Sequence, residues 1–289
     1  MVSHTGSGMC LADGMDVGGL TPIEETALLT QYARALDSRR SRPILGDSLA
    51  NEVIAKIDYD FASLAATPSV VCLVALRAKM LDARIRAFVA EHPDAVVVDI
   101  GAGFNGVAFR VDPPPTVDWY SVDLPAVIAL RDELLRPRDH SHSVAASILE
   151  ADWVTTIPGD RPTMVVADGL FAFLTEPMVV TALRSVTGHF ESGVIAFNDY
   201  GPVSQVNKFL GKLATSRKSN SPHTQWNFPG FKDARIPETW NTELTLIEEA
   251  SVMNQSDSVL FPPMLRLASR MATRIPAIAR KARVLQYGF

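Results

Sequence analysis

Residues 96–111 read VVVDIGAGFNGVAFRV, a G-x-G-x-x-G spacing at Gly101, Gly103 and Gly106 directly behind an apolar run. Glycines there let backbone approach a ligand closely and aim the N–H groups of a following helix at it. About twenty residues further on, Asp123 closes the run WYSVD, where a carboxylate can accept from both hydroxyls of a ribose. Nicotinamide dinucleotides and S-adenosyl-L-methionine (SAM) both carry such a ribose, so glycines and acid alone fit either. Asp99, two residues before Gly101, favours SAM, because a carboxylate there can face a cationic sulfonium or ammonium group. The loop also follows about ninety residues of largely helical pattern. Downstream there is neither a Tyr-x-x-x-Lys nor a His/Asp pair for hydride chemistry.

Methyl transfer from SAM is an in-line displacement that needs donor and acceptor held in line and water excluded. An ionised carboxylate acceptor needs no general base, whereas a hydroxyl usually does. The candidate bases are His140, His142, His189, His223 and Tyr200, none in a recognisable motif. His140 and His142 flank a predicted strand and read as surface residues. His223 lies in SPHTQWNFPGF, an insertion that could cover an acceptor. No catalytic base is assigned.

The elements that must position these groups follow from periodicity. Thr21, Pro22 and Glu24 form a helix start with a capping box, after which Ile23, Ala27, Leu28, Tyr32, Ala35 and Leu36 share one face. Further helices are expected over Asp47–Ile57 and Val70–Glu91. Strands are expected over Val96–Ile100, Asp118–Val122, Ser143–Leu149, Thr163–Ala167 and Gly193–Asn198, with helices at Pro125–Leu135 and Pro177–His189. Continuously apolar strands separated by helices imply a parallel sheet covered on both faces. Two late strands, Glu243–Val252 and Arg283–Phe289, flank a helical stretch, Pro263–Ala282. The expected organisation is a flexible tail (1–20), an N-terminal helical cap (21–92), a SAM-binding core (93–200), a lid or acceptor insertion (201–242), and last strands with a C-terminal helix (243–289).

Composition limits the remaining classes. Hydrophobic residues make up 47% of the 289 and charged residues 20%, enough for a large core. A net charge of -5 argues against a nucleic-acid partner. Cys10 and Cys72 lack metal-ligand spacing and a disulfide framework, no metal is expected, and a reducing cytoplasm fits best. No signal peptide and no membrane-length apolar run is visible. The stretch MLRLASRMATRIPAIARKAR carries six basic residues and no acid. It could touch an anionic membrane, but Pro276 divides it, and the solvated face of a docked helix is the preferred reading.

The segments ETALLTQYARALDSRRSRPILGD, VALRAKMLDARIRAF, the glycine loop through VDLPAVIALR, DRPTMVVADGLFAFLTEP and IPAIARKARVLQYGF occur in this order. In this combination the chain resembles the leucine carboxyl methyltransferase superfamily of class I SAM-dependent O-methyltransferases. Within it, the chain looks most like the bacterial branch of tetracenomycin-type polyketide O-methyltransferases. The resemblance implies an α/β Rossmann-like fold with a mostly parallel sheet, an N-terminal helical cap and a lid before the last two strands. It implies Gly101, Ala102 and Gly103 beside Asp99 at the methionine part of SAM, Asp123 and Leu124 at the ribose, and Arg77 reaching the SAM carboxylate. Ser147 and Ile148 then fall at the adenine, with Ser147 where many relatives carry an aspartate. Asp168 replaces a family glutamate, and Phe173 a common tyrosine. The acceptor would lie among Tyr32, Tyr200, His223 and Trp226, with Arg34, Phe228 and Phe231 nearby.

The function expected is methylation of a carboxylate, or a hydroxyl, on a small polyketide, other secondary-metabolite or lipid-like acceptor. Two alternatives stay open: an NAD(P)-dependent oxidoreductase using the same loop, and a non-catalytic SAM-binding protein, which Ser147, Asp168 and Phe173 keep in view.

Overall fold

The structure is a computed structural model that describes residues 14–18, 20–21, 24–150, 152–201 and 226–289. Three helices precede the main sheet: α1 (Glu25–Ser38), α2 (Ser48–Ala55) and α3 (Pro68–Glu91). The capping box ahead of α1 forms, with the Thr21 amide donating to the Glu24 carboxylate at 2.7 Å and the Glu24 amide to the Thr21 hydroxyl at 3.5 Å. Pro22 and Ile23 lie outside the described residues. Asp47 caps α2 by accepting from the Ala50 amide, and Thr67 caps α3 by accepting from Val70, with Pro68 in the first turn. Part of the stretch expected to be a tail is paired: Met15–Asp16 (β1) lies parallel to Ile57–Asp58 (β2), and Val17 is buried. Residues 1–13 lie outside the description.

The main sheet comprises β3 (Val96–Ile100), β4 (Asp118–Asp123), β5 (Ser141–Ala145), β6 (Thr163–Ala167), β7 (Gly193–Asp199), β8 (Thr245–Ser251) and β9 (Arg283–Gly288), in the order β5-β4-β3-β6-β7-β9-β8. The first five run parallel, and β9 is antiparallel to both β7 and β8. Central β3 and β6 are buried at every position. Alternate residues face opposite layers. Val97 packs with Leu76, Met80 and Ile85 of α3, while Val96 and Val98 pack with Leu183, Val186 and Phe197 on the other side. α4 (Val107–Val111), α5 (Pro125–Leu134) and α6 (Glu176–His189) link the parallel strands. α7 (Ile236–Trp240), α8 (Pro263–Ala272) and α9 (Pro276–Ala279) follow. The helix expected over Pro263–Ala282 is thus two helices, parted where Pro276 removes an amide donor.

Six buried charges tie the helices to the sheet. Arg110 meets Asp82 at 2.8 Å and Asp47 at 2.7 Å, Arg34 lies 3.9 Å from both Asp47 and Asp168, and Asp168 lies 2.7 Å from Arg77. No side chain in the set is more than 10% exposed. Arg110→Met leaves Asp82 and Asp47 without their shared cation, and removing one partner from a buried set costs about 3–5 kcal/mol. Urea unfolding should show a loss of that size, with part recovered in Arg110→Met/Asp82→Leu. A loss under about 1 kcal/mol would mean that water already solvates these charges.

Candidate active site

The glycine loop leaves β3 and bends back on β4. Gly101 and Ala102 both donate their amides to the Val122 carbonyl, at 2.8 and 3.2 Å. Gly101 (φ +68°) and Gly103 (φ +50°) adopt the left-handed conformation that glycine takes without steric cost. The Asp123 carboxylate accepts from the Gly103 amide on one oxygen and the Leu124 amide on the other, both at 2.7 Å. Each oxygen keeps a lone pair for a further donor. Leu124 directly precedes α5, whose first residue is Pro125.

Sequence reasoning missed the side chain that holds this loop from below. Arg131 is buried, donates to the carbonyls of Gly103 and Asn105 at 2.9 and 2.8 Å, and reaches the Ser121 hydroxyl at 3.2 Å. A signal existed: Val127, Ile128, Arg131 and Leu134 share the inward stripe of α5, and an arginine on such a stripe needs buried acceptors.

Asp99, Asp123 and Asp168 stand at the carboxyl ends of β3, β4 and β6, three adjacent strands. Asp99 is 1% exposed and its Oδ2 has no hydrogen-bond partner. Burial, with Asp168 and Asp123 nearby, pushes its carboxyl up to about 7 despite Arg131. Burial also raises Asp123, though the two loop amides pull it back. Arg77 pairs with Asp168 and donates through Nη1 to the Tyr200 hydroxyl, while its buried Nη2 has no partner. Gly169 (φ +87°) leaves room for that nitrogen, since a Cβ there would lie 2.9 Å from it. An unmatched acceptor on Asp99 and an unmatched donor on Arg77 fit the ammonium and carboxylate of an amino acid, which is how SAM ends.

The remaining candidates divide. Ser147 and Ile148 follow β5; the Ser147 hydroxyl accepts from the Leu149 amide at 3.3 Å, and Ile148 is buried. Tyr200 stacks on Trp226 at 4.3 Å between ring centres, beside the Arg77 guanidinium. Burial raises its phenol, so it is neutral at pH 7 and cannot serve there as a base. Tyr32 instead packs on Phe61, with ring centres 5.3 Å apart, in a cluster with Ala35, Ala50 and Ile54. Phe228 and Phe231 belong to the core with Phe197, whereas Trp226 is 39% exposed. His223 lies outside the described residues. His140 and His142 lie 3.4 and 3.6 Å from Asp118 at the amino end of β4, and His189 contacts the Ile157 carbonyl shortly before β7. These three histidines lie towards the amino ends of the parallel strands, whereas the glycine loop leaves the carboxyl end of β3. No cluster of His, Cys, Asp or Glu among the described residues could hold a metal ion.

The leucine carboxyl methyltransferase family profile matches residues 27–187, from α1 into α6. The chain belongs to this family. It is 43% identical over 242 residues to the tetracenomycin polyketide synthesis O-methyltransferase TcmP of Streptomyces glaucescens, covering 76% of this chain and 90% of that protein. It is 29% identical over 225 residues to the S-adenosyl-L-methionine-dependent methyltransferase dpfgK of Gibberella zeae, covering 72% of this chain and 76% of that one. Its fold matches a crystal structure from Thermobifida fusca YX assigned as a methyltransferase, with a TM-score of 0.56 at 14% identity over 88% of this chain and 93% of that chain.

Asp99 gives the site a pH signature. Its folded value, about 7, lies above the unfolded value near 3.9, so its contribution to stability is fully present below about pH 4 and is lost as pH rises through 7. Asp99→Asn should remove that loss. In urea melts without ligand, the variant should gain on the parent between pH 5 and pH 8, by up to about 3 kcal/mol at about 1.4 kcal/mol per pH unit. Parallel pH profiles for the two proteins would show that Asp99 is ionised throughout.

Proposed function

We propose that this site transfers the methyl group of SAM to a carboxylate oxygen of a small acceptor. The observation that supports the cofactor part of the reading is two unmatched buried groups: a bare carboxylate oxygen on Asp99 near the end of β3, and a bare guanidinium nitrogen on Arg77 of α3, whose Nε lies against Asp168 just after β6. The chain is a SAM-dependent O-methyltransferase by family, which removes the nicotinamide alternative for the glycine loop. When bound, SAM supplies an electrophilic methyl carbon on a cationic sulfur.

The chain's own residues bind and orient. Asp123 takes the ribose hydroxyls on its remaining lone pairs, held in place by the Gly103 and Leu124 amides. Leu124 and the Gly101–Gly103 backbone line the approach, with Arg131 fixing the loop's carbonyls. Arg77 takes the amino-acid carboxylate through Nη2 while Asp168 and Tyr200 fix its plane. Ser147 and Ile148 flank the adenine, the serine hydroxyl accepting from its amino group. Tyr200 and Trp226 form an aromatic wall for the acceptor. A carboxylate acceptor suits the absence of any histidine from this end of the sheet among the described residues, because an ionised acid needs no proton removed. The name of the Streptomyces relative points to a polyketide as the acceptor class. No described helix is long and apolar enough to cross a membrane. The reaction is assigned to the cytoplasm, where the unpaired Cys72 thiol stays reduced.

S-adenosylhomocysteine should raise the melting temperature and NADH should not, since a ligand bound only to the folded state stabilises it by mass action. In Asp123→Ala that shift should largely vanish, because two charge-assisted hydrogen bonds of about 1.5–3 kcal/mol each are lost. Asp123→Asn should keep part of it through one accepting oxygen. An undiminished shift in the alanine variant would move the ribose elsewhere.

The acceptor chemistry has its own test. A carboxylic acid with a pKa near 4 is fully ionised across neutral pH, so its single-turnover rate, with SAM saturating, should be flat from about pH 6 to 8.5. A tenfold fall per pH unit below neutrality, abolished together with activity in His223→Ala, would assign a hydroxyl acceptor and make that histidine its base.

A further inference from the structure

From Ser258 to Phe289 the chain has no acidic residue, although the whole protein carries a net charge of -5. Of the basic side chains in this stretch, Arg283 is buried on Asp199 and Arg280 lies 3.6 Å from Glu249. Arg266, Arg270, Arg274 and Lys281 form no ion pair among the described residues. Three of these four lie on or directly after α8.

The apolar arc of this helix is wider than the part that docks. Its inner face docks: Ser269 and Ala272 are buried, the Ser269 hydroxyl donates to the Met253 carbonyl, and Leu265 and Ala268 pack on the core. The outer face carries Met264, 79% exposed, Leu267, 52%, and Met271, 44%, with Ile275, 41%, just beyond the helix end. At about 100° per residue, Met264, Leu267 and Met271 fall within an arc of about 60°, and Arg266 and Arg270 fill the neighbouring arc. Single exposed apolar residues are ordinary, but a contiguous row of large ones rimmed by cations marks a contact surface.

We propose that this face docks the protein, reversibly, on an anionic lipid surface. The apolar row would enter the headgroup boundary while the arginines, on their long stems, stay level with the lipid phosphates. Charge decides between this occupant and a second copy of the chain. A two-fold pairing brings the same patch against itself, so it would set the cations of one copy against those of the other. An anionic surface instead complements them. The centre of the patch is methionine, leucine and isoleucine rather than aromatic, which gives nucleic-acid bases nothing to stack on.

The test is co-sedimentation with vesicles of phosphatidylglycerol and phosphatidylcholine, against pure phosphatidylcholine, at ~0.1 M salt. The full chain should bind the mixed vesicles and not the neutral ones. Arg266→Gln/Arg270→Gln/Arg274→Gln should weaken binding about 100-fold, at about fivefold for each cation at the surface. Leu267→Ser/Met271→Ser should lose binding as well, and since all five positions are exposed, both variants should melt with the parent protein. No preference for the anionic vesicles would overturn the proposal. So would a concentration-dependent doubling of mass in solution that Leu267→Ser/Met271→Ser abolishes, because the face would then be a contact between copies.

Discussion

Three arginines and three aspartates, all buried, close a circuit through the upper half of the molecule. It starts at Asp82 on α3 and passes through Arg110 on α4, Asp47 at the head of α2, Arg34 on α1 and Asp168 after β6. It returns to α3 at Arg77. Charges taken out of water are costly, and the opposite charges in the ring offset much of that cost, helped by neutral partners such as Gln31, Asn105 and Tyr200. A helix displaced by a few ångströms would strand a charge, so the ring fixes how α1, α2 and α4 sit against the sheet. Burial, with Arg110 adding to it, lowers Arg34 to about 10, which still leaves it charged at neutral pH and the ring balanced. The consequence reaches the glycine loop. A Cβ at Gly103 would lie 3.3 Å from that of Ala27 on α1, and one at Gly106 would run into Leu49 on α2. The helical cap and the loop therefore form one packed unit.

What was legible in the sequence follows from how each signal is written. Val96–Ile100 and Thr163–Ala167 match their strands residue for residue, because strands buried on both faces spell uninterrupted apolar runs. The edge strand did not. Strand β5 runs over Ser141–Ala145 with no residue fully buried, while the more apolar stretch expected to continue it to Leu149 leaves the sheet, and Ile148 packs in the core. Edge strands lack the burial that makes central ones readable. The position of Asp123 is legible because an acid about twenty residues past a glycine turn closes the next strand, and its carboxylate meets the loop amides there. Arg131 is not legible in that way, because its partners are backbone carbonyls, which no spacing of residue types announces.

The same limit explains how the acceptor candidates sort. Tyr32 and Arg34 share helix α1, but residues two apart in a helix lie about 200° apart around its axis. One faces Phe61 and the other faces Asp168. Phe228 and Phe231 read as pocket aromatics, but Phe231 sits against Phe197, Phe228 and Trp240, and its carbonyl receives Arg283. Composition can bring aromatic residues to a region. Only the return of β9 between β7 and β8 decides which of them are core.

The electrostatics of the strand ends bear on why this loop suits one adenosine cofactor over another. Asp99, Asp123 and Asp168 lie on neighbouring strands, and each of the other two raises the cost of ionising Asp99. Arg131 offsets part of this but is committed to loop carbonyls, and Arg77 is shared with Asp168. Without a ligand, therefore, the position two residues before the first glycine holds a carboxyl that is only about half ionised near pH 7. A dinucleotide would bring its anionic pyrophosphate to the glycine turn, close to that carboxyl, and deepen the repulsion. A ligand bearing ammonium and sulfonium charges does the opposite: it lowers the cost of ionising Asp99. In water-poor surroundings each opposite charge within about 4–6 Å can shift a carboxyl by 1–3 pH units. Binding of the cation and release of the Asp99 proton are then linked, so affinity should strengthen as pH rises toward 7 and level off above it. With the cofactor placed as proposed, the buried Asp99 favours a ligand that brings positive charge to it over one that brings negative charge.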